Sequence, residues 1–470
     1  MSYSAISLRD ALRRADGRPM LFDLAGHSRS ADGLVAGVDR LAGALATSAG
    51  EGATVGLWYR NSFAAIEAFL AVEWIGGTRI PVDPEASAEE AQAVFRAAKV
   101  DTVLADREHA ALLGSDAVIH DDSEPLAGPP LAPVGDVDPE RCLMIYPRGV
   151  TGGELHGVPL SYRNWAAIMD TNVALYRSGR YGCWNESSEV FLTAQQIMHG
   201  TGFLGTFPFL AMGLPQVLIG RFDVASVVAA MARYEVTGTM FVPAMLRSVV
   251  AATKPDHNLK LRHVLYGGGP TSPEDVIAAI DLLGPVLTQV YGRVEGGWPL
   301  AILGTADHAL LRKERPDLIR SFGRPIAEVE TRLRSLGNGI ANGELLVRSA
   351  MTSRDYADAD GWCSLGDVVR SDRDGYLTYE RRLDRMINTG YHVYPEEIEA
   401  VIAGLDGVAQ TRVVGEPHPR WGEMVVAYVV ARGGIPESAL AAALPQAVAS
   451  RLARYKVPRE FRMVAELPPV

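Results

Sequence analysis

Val264-Leu-Tyr-Gly-Gly-Gly-Pro270 and, twenty residues on, Val290-Tyr-Gly-Arg-Val-Glu295 decide how this chain is read. Each opens on β-branched and aromatic residues that suit a buried strand, and then runs into glycine. Two such strand ends side by side form a nucleotide crevice at the carboxyl edge of a parallel sheet, where glycine lets a ligand approach the backbone closely. Tyr291 can stack on a base there, and Glu295 can hold a divalent cation bridged to phosphates. Taken singly, both have a plainer reading: Tyr291 as core, Glu295 as a solvated turn.

Working outward, the same strand–helix alternation fills the chain on both sides. Arg40 to Ala49 and Ser62 to Trp74 read as helices around a strand at Thr54 to Trp58; Thr78 to Val82, Glu89 to Ala98 and Val100 to Leu104 repeat strand, helix, strand. A proline-rich stretch from Pro125 to Pro139 follows, then a strand at Leu143 to Tyr146. Val217 to Ile219, Val224 to Tyr234, Thr239 to Val242 and Ala244 to Ala252 continue the pattern. Alternation of this kind predicts mostly parallel sheets covered by helices. From about Leu345 the strands change character, with turns expected at Gly366-Asp367 and Asp374-Gly375. Helices over Pro395 to Ala403 and Pro436 to Leu452, with strands over Val408 to Val414 and Met424 to Ala431, then read as a small α+β domain. The expected division is a large domain over 1–382 and a small one over 383–470.

The 470 residues are too many for one ordinary core. With 48% hydrophobic and 21% charged residues, the chain can both fold and stay soluble. Lys plus Arg number 45 and Asp plus Glu 56, a net charge of −11, which argues against a general nucleic-acid binder. Cys142, Cys183 and Cys363 stand far apart with no Cys-x-x-Cys pair, so a reducing compartment is expected. Arg9, Asp10, Arg13, Arg14 and Asp16 interrupt any signal-peptide core. The uncharged stretch from Val190 to Gly220 is broken by glycines and prolines too often to span a membrane, and reads as buried strands and loops lining a site. A soluble cytoplasmic protein is the expectation.

Two further constellations carry chemistry. Tyr146-Pro-Arg-Gly-Val-Thr-Gly-Gly-Glu-Leu-His-Gly-Val158 follows a strand, and the backbone N–H groups of such a loop, around Thr151 and Gly152, can cradle phosphate; more often a glycine-rich exit is only a turn. Later come Gly361-Trp-Cys-Ser-Leu-Gly-Asp367, Arg381-Arg-Leu-Asp-Arg-Met-Ile-Asn-Thr-Gly390 and Val393-Tyr-Pro-Glu-Glu-Ile-Glu399. Asp367 on a tight turn can accept from both hydroxyls of a ribose, Arg382 can fork onto ribose or phosphate, and Asp384 stands where a hinge would fall.

In order and spacing, these stretches resemble the adenylate-forming superfamily of acyl- and aryl-CoA synthetases, nonribosomal adenylation domains and luciferases. Gly323-Arg-Pro325, Gly343-Glu-Leu-Leu-Val-Arg348, Val414-Gly-Glu-Pro417, Trp421-Gly-Glu423 and Tyr455-Lys-Val-Pro458 extend the resemblance to most of the chain. It implies an α/β fold: a large N-terminal domain of two helix-covered sheets plus a small distorted β-barrel, with a small mobile α+β C-terminal domain. It implies ATP, AMP, Mg2+ and coenzyme A (or a carrier-protein thiol) as partners of a small carboxylic acid, with no nucleic acid and no membrane, in a monomer or homodimer. An acid is joined to the α-phosphate of ATP, and a thiol then takes the acyl group. By the same resemblance, Gly267, Gly268, Gly269 and Tyr291 match the adenine site, Glu295 the metal ligand, Asp367 and Arg382 the ribose contacts, and Asp384 the hinge. Gly390 matches the loop beside the thiol tunnel, and His199 the histidine at the mouth of the acid pocket. Gly200, Thr201, Gly202, Phe203, Gly296, Gly297 and Trp298 shape that pocket.

Departures from the pattern fall on phosphate handling. Pro147, Arg148 and Val150 stand where the family's loop carries hydroxyls, Pro147 removes a backbone donor, and His156 stands where a lysine belongs. Val294 replaces a threonine beside Glu295, and Tyr391 a glycine after Gly390. After Glu466-Leu-Pro-Pro-Val470 the family runs on to a Gly-Lys whose lysine meets the reacting carboxylate, and no position of this sequence supplies it. A preorganised cation at developing charge is worth roughly 3 kcal/mol, so slow adenylation is expected unless Arg148 or His156 compensates. Three functions remain: an acid–CoA ligase; a diverted member that forms a thioester or serves another acceptor; and a nucleotide- or acyl-binding protein serving a partner. Trp298 and the uncharged 190–220 stretch favour an apolar or aromatic acid.

Overall fold

The computed structural model describes residues 3–468 apart from 152, 255–256, 337–341, 390, 419–421 and 433–435. Gly152 and Gly390 therefore lie outside the described residues, as does the side chain of Thr151.

Two sheets carry the large part. The six-stranded one runs Val118–Ile119, Thr102–Ala105, Thr54–Trp58, Thr78–Val82, Cys142–Thr151, Glu154–Ser161, parallel except for its last pair. The thirteen-stranded one has a parallel half in which Leu287–Arg293, His263–Gly267, Gly238–Phe241, Phe191–Thr193, Gln216–Leu218 and Pro19–Phe22 follow one another. Its other half is antiparallel: Gly297–Leu303 pairs with Leu287–Arg293, and Ser321–Pro325, Leu377–Arg382, Cys363–Ser371, Asn342–Arg348 and Glu330–Ser335 continue from it.

Buried helices join the two sheets. Every residue of Phe63–Trp74 is buried, and its two carboxylates, Glu67 and Glu73, are paired with Arg29 and Arg79. Phe69, Trp165, Phe203 and Phe207 meet edge-on or tilted at centroid separations of 5.1–6.1 Å. The Arg79–Glu73 pair (2.9 Å) is buried among them, with the guanidinium 4.9 Å from the Trp165 ring centroid. The proline-rich segment after Glu124 is strapped across this layer: the N–H groups of Gly128, Leu131 and Val134 donate to the carbonyls of Arg40, Asp39 and Trp74. A Cβ on Gly43 would lie 1.6 Å from the carbonyl oxygen of Pro129, so only glycine lets the strap down.

Past Arg382 a separate hydrophobic cluster forms around Ile398, Val413, Val425 and Leu444. Helices Pro395–Ala403 and Glu437–Ala449 cover the sheet of Val408–His418, Gly422–Ala431 and Glu460–Met463. Among the described residues no helix is long and apolar enough to cross a membrane.

Three local expectations change. The 190–220 stretch holds, besides short strands, a helix over Gly200–Ala211, buried from Gly202 to Leu210. Its glycines are packing positions: a Cβ on Gly205 would lie 1.9 Å from the Phe191 ring. The strand at Leu143 runs on to Thr151 and returns as Glu154–Ser161, because hairpin pairing satisfies the backbone that a loop would leave open. Gly366-Asp367 is an irregularity inside the strand Cys363–Ser371 rather than a turn, with Gly366 at φ +71° and a register shift against Asn342–Arg348.

Candidate active site

One cavity lies at the carboxyl ends of both sheets and is closed on one side by the small domain. Strand ends Gly267 and Val290 pair directly, and a Cβ on Gly267 would lie 2.2 Å from the Val290 carbonyl oxygen. Gly268 turns away at φ +81° to face the cavity, together with Tyr291, Gly292, Arg293, Val294 and Glu295. The Tyr291 ring stacks on Phe322 at 4.1 Å, and its hydroxyl donates to Asp367 Oδ2 at 2.5 Å. Arg382 Nη1 donates to Asp367 Oδ1 at 2.8 Å, while Nε of the same guanidinium reaches Asp384 Oδ1 at 2.6 Å. The glycine turn, the 291–295 segment and Asp367 thus come together. Burial opposes the Asp384 charge, but the Arg382 guanidinium holds its carboxyl below the ordinary value.

Glu295 is buried and faces two cations: Arg148 pairs with its Oε1, and Arg293 Nη2 lies 3.2 Å from the same oxygen. The Arg148 guanidinium also sits over the rings of Tyr356 (5.3 Å) and Tyr394 (5.4 Å), which join it to the large and small domains. The single carboxylate charge is met by both guanidinium groups. Among the described residues no three Asp, Glu, His or Cys side chains cluster to hold an ion. A Mg2+ bridged to phosphates needs only one protein carboxylate, which Glu295 would supply once the two guanidinium groups turn to the phosphates. His156, expected to share the cationic role, is exposed, pairs across the hairpin with Gly149, and does not line the cavity.

At the other end, His199 and Gly200 line the cavity with Thr201, Met198, Leu204, Val242 and Trp298. Phe203 lies behind Trp298, stacked at 5.9 Å, and Gly296 is packed against Val347, so both support the wall rather than form it. Apart from the His199 imidazole, none of these groups is ionisable.

Several lining residues were not singled out from sequence. Asp83 Oδ2 lies 3.0 Å from His199 Nε2, and the Tyr146 hydroxyl lies 3.0 Å from His199 Nδ1. His392 is held well below its ordinary value by burial and by the surrounding Arg293, Arg382 and Arg148, so it is neutral. Lys456 is buried, with Nζ 2.6 Å from Glu90 Oε1 on the large domain and 3.0 Å from Glu397 Oε2 on the small one. Burial and the like charge of Glu90 push the Glu397 carboxyl up to about 7, against the pull of Lys456. The Ser87 hydroxyl donates to the Arg451 carbonyl at 2.7 Å, a second tie between the domains. A Cβ on Gly149 would fall 1.8 Å from Glu397 Oε1, so the hairpin meets the small domain only through glycine.

A two-domain α/β protein with a cleft at the carboxyl edge of its sheets and cations at one end of it has the architecture of a nucleotide-binding enzyme. Residues 8–357 match the AMP-binding enzyme family and residues 397–469 the AMP-binding enzyme C-terminal domain. The chain belongs to that family of adenylate-forming enzymes. The medium/long-chain-fatty-acid–CoA ligase FadD8 of Mycobacterium tuberculosis is 29% identical over 357 residues, covering 71% of this chain and 60% of that protein. A 2-succinylbenzoate–CoA ligase of Bacillus cereus is 26% identical over 440 residues, covering 89% and 85%. In structure, the amide bond synthetase McbA of Marinactinospora thermotolerans superposes with a TM-score of 0.84 at 29% identity, covering 100% of this chain and 97% of the other.

Proposed function

We propose that the protein joins a small apolar or aromatic carboxylic acid to the α-phosphate of ATP and then passes the acyl group to the thiol of coenzyme A. The observation that carries this reading is the convergence of Gly268, Tyr291 to Glu295 and the His199–Trp298 pocket around one cavity, with Asp367 bonded to the Tyr291 hydroxyl and Arg382 to Asp367 behind it. Gly267 to Gly269 and Tyr291 flank the adenine, and Asp367 and Arg382 meet the ribose. In the first step a carboxylate oxygen bonds to the α-phosphorus and the bond to pyrophosphate breaks. Arg148 and Arg293 turn from Glu295 to the phosphate oxygens and supply positive charge at the developing anion. In the second step the acceptor bonds to the acyl carbon and AMP leaves with the electron pair. Asp384, at the junction of 1–382 and 383–470, is the hinge between the two arrangements.

The fatty-acid and succinylbenzoate ligases among the relatives favour coenzyme A over a carrier-protein thiol. A second reading, an amine as acceptor and an amide as product, is favoured by the full-length likeness to an amide bond synthetase. Acid-dependent pyrophosphate exchange tests adenylation with benzoate, cinnamate and hexanoate as probes. Product mass with coenzyme A against benzylamine then separates the acceptors. Absence of both exchange and AMP binding would overturn the enzymatic reading in favour of a nonenzymatic acyl-binding role.

A further inference from the structure

Asp83, His199 and Tyr146 come from three different elements and meet at one edge of the cavity. Asp83 follows the strand Thr78–Val82, Tyr146 lies on its parallel neighbour Cys142–Thr151, and His199 caps the helix Gly200–Ala211. The Asp83 carboxylate is fixed by the Glu85 N–H donating to its Oδ1 at 2.8 Å, which leaves Oδ2 facing His199 Nε2 at 3.0 Å. That contact is close but poorly aligned, and Oδ2 has no other partner although it is buried. Catalytic hydrogen bonds in ligand-free enzymes are often in this state and tighten when substrate closes the site. With its proton on Nε2 toward Asp83, His199 presents a bare Nδ1 that accepts from the Tyr146 hydroxyl at 3.0 Å. The Tyr146 oxygen in turn accepts the Gly200 N–H at 3.1 Å and keeps a lone pair. Tyr146 and His199 both line the cavity.

The geometry points to a proton relay, Tyr146 to His199 over Asp83, that takes the proton of the incoming acceptor during acyl transfer. This rests on the proposed adenylation reading. As the acceptor's sulfur or nitrogen bonds to the acyl carbon, the bond from that carbon to the phosphate oxygen of AMP breaks, and AMP keeps the electron pair. The acceptor's proton goes to the Tyr146 oxygen while the Tyr146 hydroxyl proton moves to His199 Nδ1. The imidazolium so formed faces Asp83 and later gives its proton to solvent. Burial raises the Asp83 carboxyl, but once His199 has become imidazolium its charge and ring N–H outweigh burial and hold the carboxyl below its ordinary value, so Asp83 stays ionised through the step. Burial holds the Tyr146 phenol far above its ordinary value, so the phenolate does not accumulate and Tyr146 works only by passing one proton as it receives another. The relay serves thiols and amines alike, since each loses one proton. Asp83 is a positioning residue that acts through His199.

The test separates the two half-reactions. Preformed benzoyl-adenylate with coenzyme A or benzylamine reads transfer alone, and pyrophosphate exchange reads adenylation. His199→Ala is expected to slow transfer about 10²-fold, and Tyr146→Phe and Asp83→Asn about 10-fold each, with transfer falling further than exchange in every case. In Asp83→Asn the acid limb of the transfer profile moves to lower pH, because the neutral partner no longer favours the imidazolium. The charged and titratable groups facing Asp83, His199 and Tyr146 include Tyr391, His392, Tyr394, Tyr455 and Lys456, so the profile is repeated in Tyr391→Phe, which should leave that limb in place. Independently of turnover, 15N-histidine spectra of the free protein should show His199 protonated at Nε2, and a mixture of tautomers in Asp83→Asn. Equal losses of transfer and exchange, or an unchanged tautomer in Asp83→Asn, overturn the relay. Absent exchange with the histidine signature intact overturns the adenylation reading instead.

Discussion

The two ends of the cavity handle charge in opposite ways. At Glu295 a buried carboxylate is met by Arg148 and Arg293, and the guanidinium that completes the pair also touches rings of both domains. At His199 a carboxylate, an imidazole and a phenol follow one another in contact, with a lone pair left over at the cavity. The first arrangement must be opened by an incoming anion before it can act; the second needs only a proton. A buried ion pair gains little net energy, because its attraction mostly offsets lost hydration, but removing one partner strands a charge. Single substitutions at the phosphate end therefore strike nucleotide binding and adenylation, whereas those at the acceptor end strike transfer.

The sharpest way to break this contrast is Arg148→Ala. Exchange is expected to fall roughly 10²- to 10³-fold, the loss typical of a donor at developing phosphate charge. Direct AMP titration should fall with it, which distinguishes lost binding from lost chemistry. Asp367→Ala comes next: the Tyr291 hydroxyl loses its acceptor and Arg382 keeps only Asp384, and AMP affinity measured calorimetrically should drop about 10-fold or more. A smaller effect separates the domains. Lys456→Met leaves Glu90 and Glu397 facing each other without a cation, so the tie between the large and small domains weakens, and limited proteolysis near Arg382 should quicken several-fold.

Glu397 sharpens the same comparison through pH. Its carboxyl stands at about 7 when docked and near 4.5 when exposed, so the docked arrangement takes up a proton more readily. Docking should strengthen as pH falls through about 7, gain nothing further below about 4.5, and lose that dependence in Glu397→Gln. Interdomain energy transfer between labelled domains measures it. The smallest expected effect is at His156, exposed on the hairpin: His156→Ala should leave exchange within about twofold.

Much of this was legible because it is local. Strand-into-glycine runs at 264–270 and 290–295 follow from backbone demands that only a few residue types meet, and the structure pairs those strands directly. The helix over Gly200–Ala211 was not legible, because glycine and proline usually break helices. Here packing against Phe191 and the Gln196–Ile197 backbone fixes the glycine positions and outweighs propensity. The hairpin at 142–161 was hidden for a related reason: a glycine-rich run reads as a loop unless its pairing partner is known.

The sequence alone determined the layered α/β plan, the family resemblance and the glycine-lined crevice, since these depend on the periodicity and spacing of neighbouring residues. Which cation stands at Glu295, that His156 faces solvent, that Asp83 and Tyr146 converge on His199, and that Lys456 is clamped between two domains were decided only by tertiary structure. Each is a contact between segments far apart along the chain, and their distance is set by how the sheets and the small domain pack, which no local pattern encodes.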